Sequence, residues 1–164
     1  MKTLSPELTV RSSLRPGDIG SVIHLHGTLY AAEYGWDHTF EAYVAGPLAE
    51  FAKSQTDRER IWILERDAAI VGSIAIVEVS DDEAQLRWFL LHPSVRGKGV
   101  GRFLMDEALR FCREKDYSRI ILLTEKSLVA AARLYEQFGF GLTEEKTHEL
   151  WGSIITEQKY ELDL

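Results

Sequence analysis

Cysteine is almost absent: the 164-residue chain has one, Cys112. A lone thiol cannot close an internal disulfide, which points to a reducing compartment, the cytoplasm. No apolar run approaches the ~18–20 residues that a membrane span needs. The opening Met1-Lys2-Thr3-Leu4-Ser5-Pro6 lacks the apolar stretch of a secretory signal. Positive charge is in deficit, with 19 Lys and Arg against 26 Asp and Glu and a net charge of −7, so nucleic acid is not an expected partner. Repeats, low-complexity tracts and linkers are also missing, and the whole chain, 1–164, is expected to form one domain.

What is present is an ordinary globular composition, 45% hydrophobic and 27% charged, which excludes disordered and fibrous classes. Strand-like and helix-like pieces alternate, so a mixed α/β (α+β) sheet is expected. Val10 to Leu14 reads as a first strand, closed by Arg15-Pro16-Gly17-Asp18. Asp18 or a neighbour caps a helix running to about Glu33, and a second helix covers Thr39 to Lys53, with Gly46-Pro47 a point of kinking or splitting. Arg60–Glu65 and Ile70–Val79 read as a hairpin, extended by a third strand from Ala84 to Leu91. A helix over Gly101–Lys115, a buried strand at Ile120–Leu123 and a helix over Leu128–Phe138 follow, the last capped by Gly139. Gly141–Glu149 and Ile154–Leu162 close the order β-α-α-β-β-β-α-β-α-β-β.

One stretch runs against the charge balance. Arg96, Lys98 and Arg102 fall in Arg96-Gly97-Lys98-Gly99-Val100-Gly101-Arg102, which contains no acid and joins a strand to a helix. Amides at a helix start have no intrahelical acceptor, the dipole adds about half a positive charge, and glycines let the backbone approach an anion. The loop therefore suits a pyrophosphate; a glycine turn with solvated cations and no ligand is the alternative. Neither the Walker string nor Gly-x-Gly-x-x-Gly is satisfied here.

Arg96-Gly97-Lys98-Gly99-Val100-Gly101 resembles the Arg/Gln-x-x-Gly-x-Gly/Ala motif of the GNAT superfamily of acyl-coenzyme A N-acyltransferases. Ala131-Ala132-Arg133-Leu134-Tyr135-Glu136-Gln137-Phe138-Gly139-Phe140 is similar to that family's Ala-x-x-Leu-Tyr-x-x-x-Gly-Phe helix ending. The resemblance covers nearly the whole chain and implies a GNAT fold, a mostly antiparallel sheet of about six to seven strands flanked by about four helices. Leu14–Asp18, Glu33-Tyr34-Gly35-Trp36 and Tyr160–Leu164 look like the GNAT domains often fused behind MarR-type regulators. No helix-turn-helix precedes the fold here, so DNA binding is not carried over. Where the family often has Asn at the start of the second motif helix, this chain has Leu128.

The resemblance implies acetyl transfer from acetyl-CoA to a primary amine of a small molecule, peptide or protein, by direct attack. The coenzyme would be held by Phe89, Leu90, Leu91, Arg96, Gly97, Lys98, Gly99, Val100, Gly101, Arg102, Leu128, Ala131 and Leu134. It also implies that the Tyr135 hydroxyl protonates the leaving thiolate, a core tyrosine being the alternative, and that backbone N–H groups near Phe89 to Leu91 meet the oxyanion. Glu33 and Glu78 are the carboxylates to test as general base, with an ordered water or an ordinary surface role as alternatives. Tyr30, Tyr34 and Trp36 form one wall of the acceptor site or pack the helix junction. Glu33, Asp37 and Glu41 would favour a cationic amine. Cys112, spaced with Leu104 and Ala108, belongs to a core, and no histidine spacing suits a metal. A homodimer stays open. A non-catalytic acyl-CoA sensor and an interaction domain binding basic proteins are the competing functions; the first would dispense with Tyr135, the second with the glycine loop.

Overall fold

A computed structural model describes residues 1–164. The strands are β1 (Lys2–Ser5), β2 (Leu8–Arg11), β3 (Arg60–Arg66), β4 (Ala69–Glu78), β5 (Glu83–Leu91), β6 (Arg119–Glu125), β7 (Gly141–Leu150) and β8 (Ser153–Asp163). The helices are α1 (Asp18–Tyr34), α2 (His38–Ser54), α3 (Val100–Glu114) and α4 (Val129–Gln137). One eight-stranded sheet runs β1-β2-β3-β4-β5-β6-β8-β7, antiparallel at every pairing except β5–β6.

The sheet has eight strands because Lys2–Ser5 folds back on Leu8–Arg11, a hairpin absent from the sequence reading. The strand expected at Val10–Leu14 lies earlier and stops at Arg11, whose side chain turns inward. Its guanidinium donates to both Asp18 oxygens at 2.7 Å and to Glu65 at 2.8 Å, with all three side chains largely buried. Asp18 is thereby spent on Arg11 and on the Arg15 N–H at 2.6 Å, and does not cap α1; Gly17 holds the N-cap position. The second helix is neither split nor ended by Pro47, since Phe40, Val44, Leu48 and Phe51 bury one continuous face across it. The expected β3–β4 hairpin is present, turned by Asp67 and Ala68 with φ of 50° and 64°.

Strand alternation divides the interior in two. Trp62, Leu64, Ile74 and Ile76 point to the α3 face, where they meet Leu104, Met105, Ala108 and Cys112. Ile61, Ile63 and Ala75 point to the other face and meet Val22, Phe40, Val44, Leu48 and Phe51 of α1 and α2. Cys112 is fully buried, and burial pushes its thiol up to about 12. No helix is long and apolar enough to cross a membrane.

Candidate active site

The sheet opens in its middle. β5 and β6 pair only through Glu83–Arg119, Ala84–Ile120 and Gln85–Ile121, then diverge. From Leu86 to Leu91 the β6-facing edge of β5 has no strand against it. A bulge sharpens the break: Ser73 pairs with Leu90 and Ala75 with Arg87, so Ile74 alone faces Trp88 and Phe89. Trp88 takes a left-handed φ of 48°, and its carbonyl accepts from the Ser73 hydroxyl at 2.6 Å. The bulge reassigns side chains to faces. Trp88 packs on Phe51 in the α1–α2 core, with rings 5.5 Å apart, while Phe89 packs on the α3 side. A cavity of about 490 Å³ fills the opening and is lined from both sheet faces.

The glycine loop forms one side of that cavity. A 3₁₀ turn at Pro93–Val95 leads into Gly97 and Gly99, with φ of 73° and 77°, and Gly99 is the N-cap of α3. A Cβ at either position would meet nothing within 4 Å, and no side chain caps the helix, so its first amides face open space. At Gly101 a Cβ would lie 3.4 Å from both Leu91 and Leu134, which makes the slot between β5 and α4 narrow. Open amides, a helix N-terminus and a narrow apolar slot fit a pyrophosphate joined to a thin chain.

On the opposite wall of the slot stand Leu128, the N-cap of α4, and Ala131, Leu134 and Tyr135 within that helix. Tyr135 is 5% exposed, with its ring 6.3 Å from Phe89 and 6.0 Å from Phe140 and Tyr160. Burial raises the pKa of its phenol, and Tyr30 and Tyr160 add to the shift, so it holds its proton at neutral pH. Gly139 ends α4 with φ of 94°; its N–H bonds Glu136 at 3.0 Å and the Phe140 N–H bonds Tyr135 at 3.1 Å, which locks the turn beneath the tyrosine. Beyond Tyr135 the wall is aromatic. Tyr30 lies 5.6 Å from Tyr34 and 5.1 Å from Trp36, and Trp36 lies 4.7 Å from Trp151. Trp151 arrives on the β7–β8 turn, whose carbonyl accepts from Asp37 N–H at 2.9 Å.

The Acetyltransferase (GNAT) family model matches residues 26–140. The chain belongs to this acetyltransferase family. N-acetyltransferase 8B of Homo sapiens is 25% identical over 133 residues; the match takes in 77% of this chain but only 59% of that protein's length. A Bacillus subtilis protein described as a ribosomal protein bS18-alanine N-acetyltransferase is 27% identical over 127 residues, covering 77% of both chains. A Salmonella typhimurium acetyltransferase structure with its cofactor acetyl-CoA superposes with a TM-score of 0.73 at 19% identity, over 96% of this chain and 94% of that one. Acetyl-CoA is the family's acetyl donor.

In this GNAT chain the structure brings most of the sequence-chosen residues to one cavity. Phe89, Leu90, Leu91, Arg96, Gly97, Gly99, Gly101, Arg102, Leu128, Ala131, Leu134, Tyr135, Glu33, Tyr30, Tyr34 and Trp36 all line it. Three do not. Lys98 and Val100 border a separate hollow of about 420 Å³ with Leu4–Leu8 and Arg66, because the loop turns them to its far side. Glu78 sits where β4 meets the paired start of β5, away from the opening, and its carboxylate lies 3.3 Å from Arg58. Arg96 lines the cavity but is engaged within the protein, donating to Glu33 at 2.7 Å and to the Leu91 carbonyl at 2.9 Å. Arg102 donates to Gln137 at 2.6 Å and lies 5.2 Å from the Phe138 ring.

The carboxylates expected to draw a cation also differ in use. Asp37 caps α2 through the Thr39 N–H at 2.9 Å, and Glu41 lies over Gly27; neither lines the cavity. Residues the sequence reading missed include His26, Tyr43, Arg87, Glu125, Trp151 and Glu157. His26 is 3% exposed with Nδ1 2.8 Å from the Val22 carbonyl, an acceptor only, so Nδ1 carries the proton and Nε2 is left as an acceptor. Burial drives its pKa down to about 4, against the raising effect of the Val22 bond. Glu125 accepts from Ser127 N–H at 2.8 Å and Thr156 N–H at 3.3 Å. A polar residue in each of the flanking strands was the one available signal, and polar residues on half-exposed strands are too common to single these out. No three His, Cys, Asp or Glu side chains stand close enough to hold a metal ion.

Proposed function

We propose that this chain transfers the acetyl group of acetyl-CoA to a primary amine by direct attack, within one domain spanning 1–164. The observation that carries the reading is the gap between β5 and β6, which joins the glycine loop and the aromatic wall through one continuous cavity. When bound, acetyl-CoA supplies an activated acyl group on a thiol leaving group.

The remaining work falls to the chain. The first amides of α3, with Gly97 and Gly99 clearing the approach, hold the pyrophosphate. Arg96 acts through structure, tying the loop to Leu91 and to α1. The open edge of β5 from Phe89 to Leu91 directs N–H groups at the carbonyl oxygen as negative charge grows there. Tyr135, kept protonated by burial, donates to the departing sulfur. Glu33 is neutralised by Arg96, and Glu78 is elsewhere, so the proton leaving the amine passes to Glu157 or to water. A single buried thiol supports a cytoplasmic setting.

The test is thiol release from acetyl-CoA across amines, amino acids and short peptides, with Gly99→Glu as the control. Acceptor-dependent release abolished by Gly99→Glu is the expected result. Binding of acetyl-CoA with no release for any acceptor would favour a sensor instead.

A further inference from the structure

The acceptor arm of the cavity presents two opposite charges that the protein leaves unpaired. Arg87 of β5 and Glu157 of β8 both line it. Neither takes part in any of the chain's ion pairs. Arg87 immediately precedes the bulge, and its guanidinium carbon stands 5.1 Å from the centre of the Trp88 ring, held over an apolar surface. Tyr43 of α2 lines the cavity together with both charges. Burial raises the pKa of its phenol, Arg87 lowers it and Glu157 raises it. The Tyr43 ring lies 5.2 Å from Trp151, so the two charges open onto the aromatic wall.

The other ionisable groups on this wall are already satisfied. Glu33 is neutralised by Arg96, and Glu125 is held by the N–H groups of Ser127 and Thr156. Lys146 of β7 stands opposite Glu157 in the register but forms no ion pair with it, and Arg102 is held by Gln137 beside the glycine loop, so the charges that line the acceptor wall are one cation and one anion. A polyamine would meet Arg87 as a repelling charge, and a simple carboxylic acid would meet Glu157 in the same way. A ligand carrying both signs a few bonds apart satisfies both at once, and a charge-assisted pair with Arg is the stronger kind of hydrogen bond.

Resting on the acetyl-transfer reading above, we propose that the acceptor is a free α-amino acid with an apolar or aromatic side chain. Its carboxylate docks on Arg87, its ammonium group on Glu157, and its side chain on Tyr30, Trp36 and Trp151. The ammonium group gives one proton to Glu157, and the freed nitrogen forms the new C–N bond as the C–S bond breaks. The second amine proton balances the one that Tyr135 hands to sulfur. The products are an N-acetylamino acid, free thiol and one proton released to solvent.

The deciding experiment compares L-phenylalanine, L-phenylalaninamide and an alanine-initiated tripeptide amide as acceptors, by thiol release at saturating acetyl-CoA. Removing one charge-assisted contact should lower kcat/KM about tenfold or more, so the free acid should exceed its amide by at least that factor. Arg87→Gln should collapse the ratio toward one, chiefly through the KM for phenylalanine. Glu157→Gln, checked for an unchanged melting temperature, should weaken both acceptors alike. An amide or peptide equal to or better than the free acid, or an acid-to-amide ratio untouched by Arg87→Gln, would overturn the amino-acid assignment while leaving acetyl transfer standing. No release with any amine would overturn both.

Discussion

Glu33 and Arg96 form a two-pronged ion pair, 2.7 Å between Oε1 and Nη1 and 3.3 Å between Oε2 and Nη2, that joins the last turn of α1 to the glycine loop. With its Nε on the Leu91 carbonyl, Arg96 clamps three segments at the cavity: α1, the end of β5 and the approach to α3. Arg96, which the resemblance makes a coenzyme ligand, also braces the loop whose amides are proposed to hold the pyrophosphate.

Glu33→Gln should therefore behave as a loosened brace. Loss of a general base costs 10²–10⁴-fold in rate. The expected effect here is a fall in kcat of less than about tenfold with a rise in the KM for acetyl-CoA, and a stability change within the ~0–1 kcal/mol of a partly exposed pair. Steady-state kinetics with acetyl-CoA varied separates the two roles; a 10³-fold loss in kcat at unchanged KM would restore Glu33 as the base.

Tyr135→Phe keeps the ring contacts to Phe89, Phe140 and Tyr160 and deletes only the hydroxyl. The melting temperature should hold while kcat falls on the order of 10²-fold, the scale of a lost proton donor. Undiminished turnover in this variant would leave Tyr135 a core residue.

Gly99 separates geometry from charge. Its φ of 77° makes Gly99→Ala cost about 1–2 kcal/mol, although nothing occupies the space its Cβ would take. Gly99→Glu adds a carboxylate where an anion should sit. Calorimetric titration should find acetyl-CoA affinity modestly reduced in the first variant and lost in the second; equal retention in both would remove the loop from the binding site.

His26 makes stability fall in mild acid. Its imidazole stays neutral down to about pH 4 in the folded chain but protonates near 6.5 when unfolded. Between those values the unfolded state binds more protons, so folding loses about 3 kcal/mol as pH drops from 6.5 to 4 and is indifferent to this group above 6.5. Asp18 acts lower. Burial raises its pKa, but the bonds from Arg11 and Arg15 outweigh that and leave it below 3.8, so its contribution is lost only beneath that value. Denaturant melts at pH 7.5 and 4.5 should show a smaller loss for His26→Gln than for the parent chain; parallel losses would exclude His26 as the sensitive group.

The second motif helix, the β3–β4 hairpin and the α3 start were legible because each depends on neighbours in sequence: apolar spacing, a two-residue turn, glycines before a helix. The first hairpin was not, since Lys2–Ser5 is polar and becomes a strand only by pairing with Leu8–Arg11. At the start of α1 the cap is the neighbour Gly17 rather than Asp18, for the same reason. The position of Asp18 marks a cap, but Arg11 and Glu65, one of them 47 residues away, claim its surroundings.

The loop proposed to hold the acetyl donor was written locally, because open amides at a helix start need only a few glycines in sequence. The acceptor side was not, because it is assembled from α1, α2, β5, β8 and a distant hairpin turn, each contributing one or two side chains. Whether Glu33 is a base or a brace, and whether Arg87 is solvated or aimed into a cavity, depends on the divergence of β5 from β6 and on the bulge at Trp88. Those are properties of strand pairing across the sheet, and short-range pattern in the chain does not encode them.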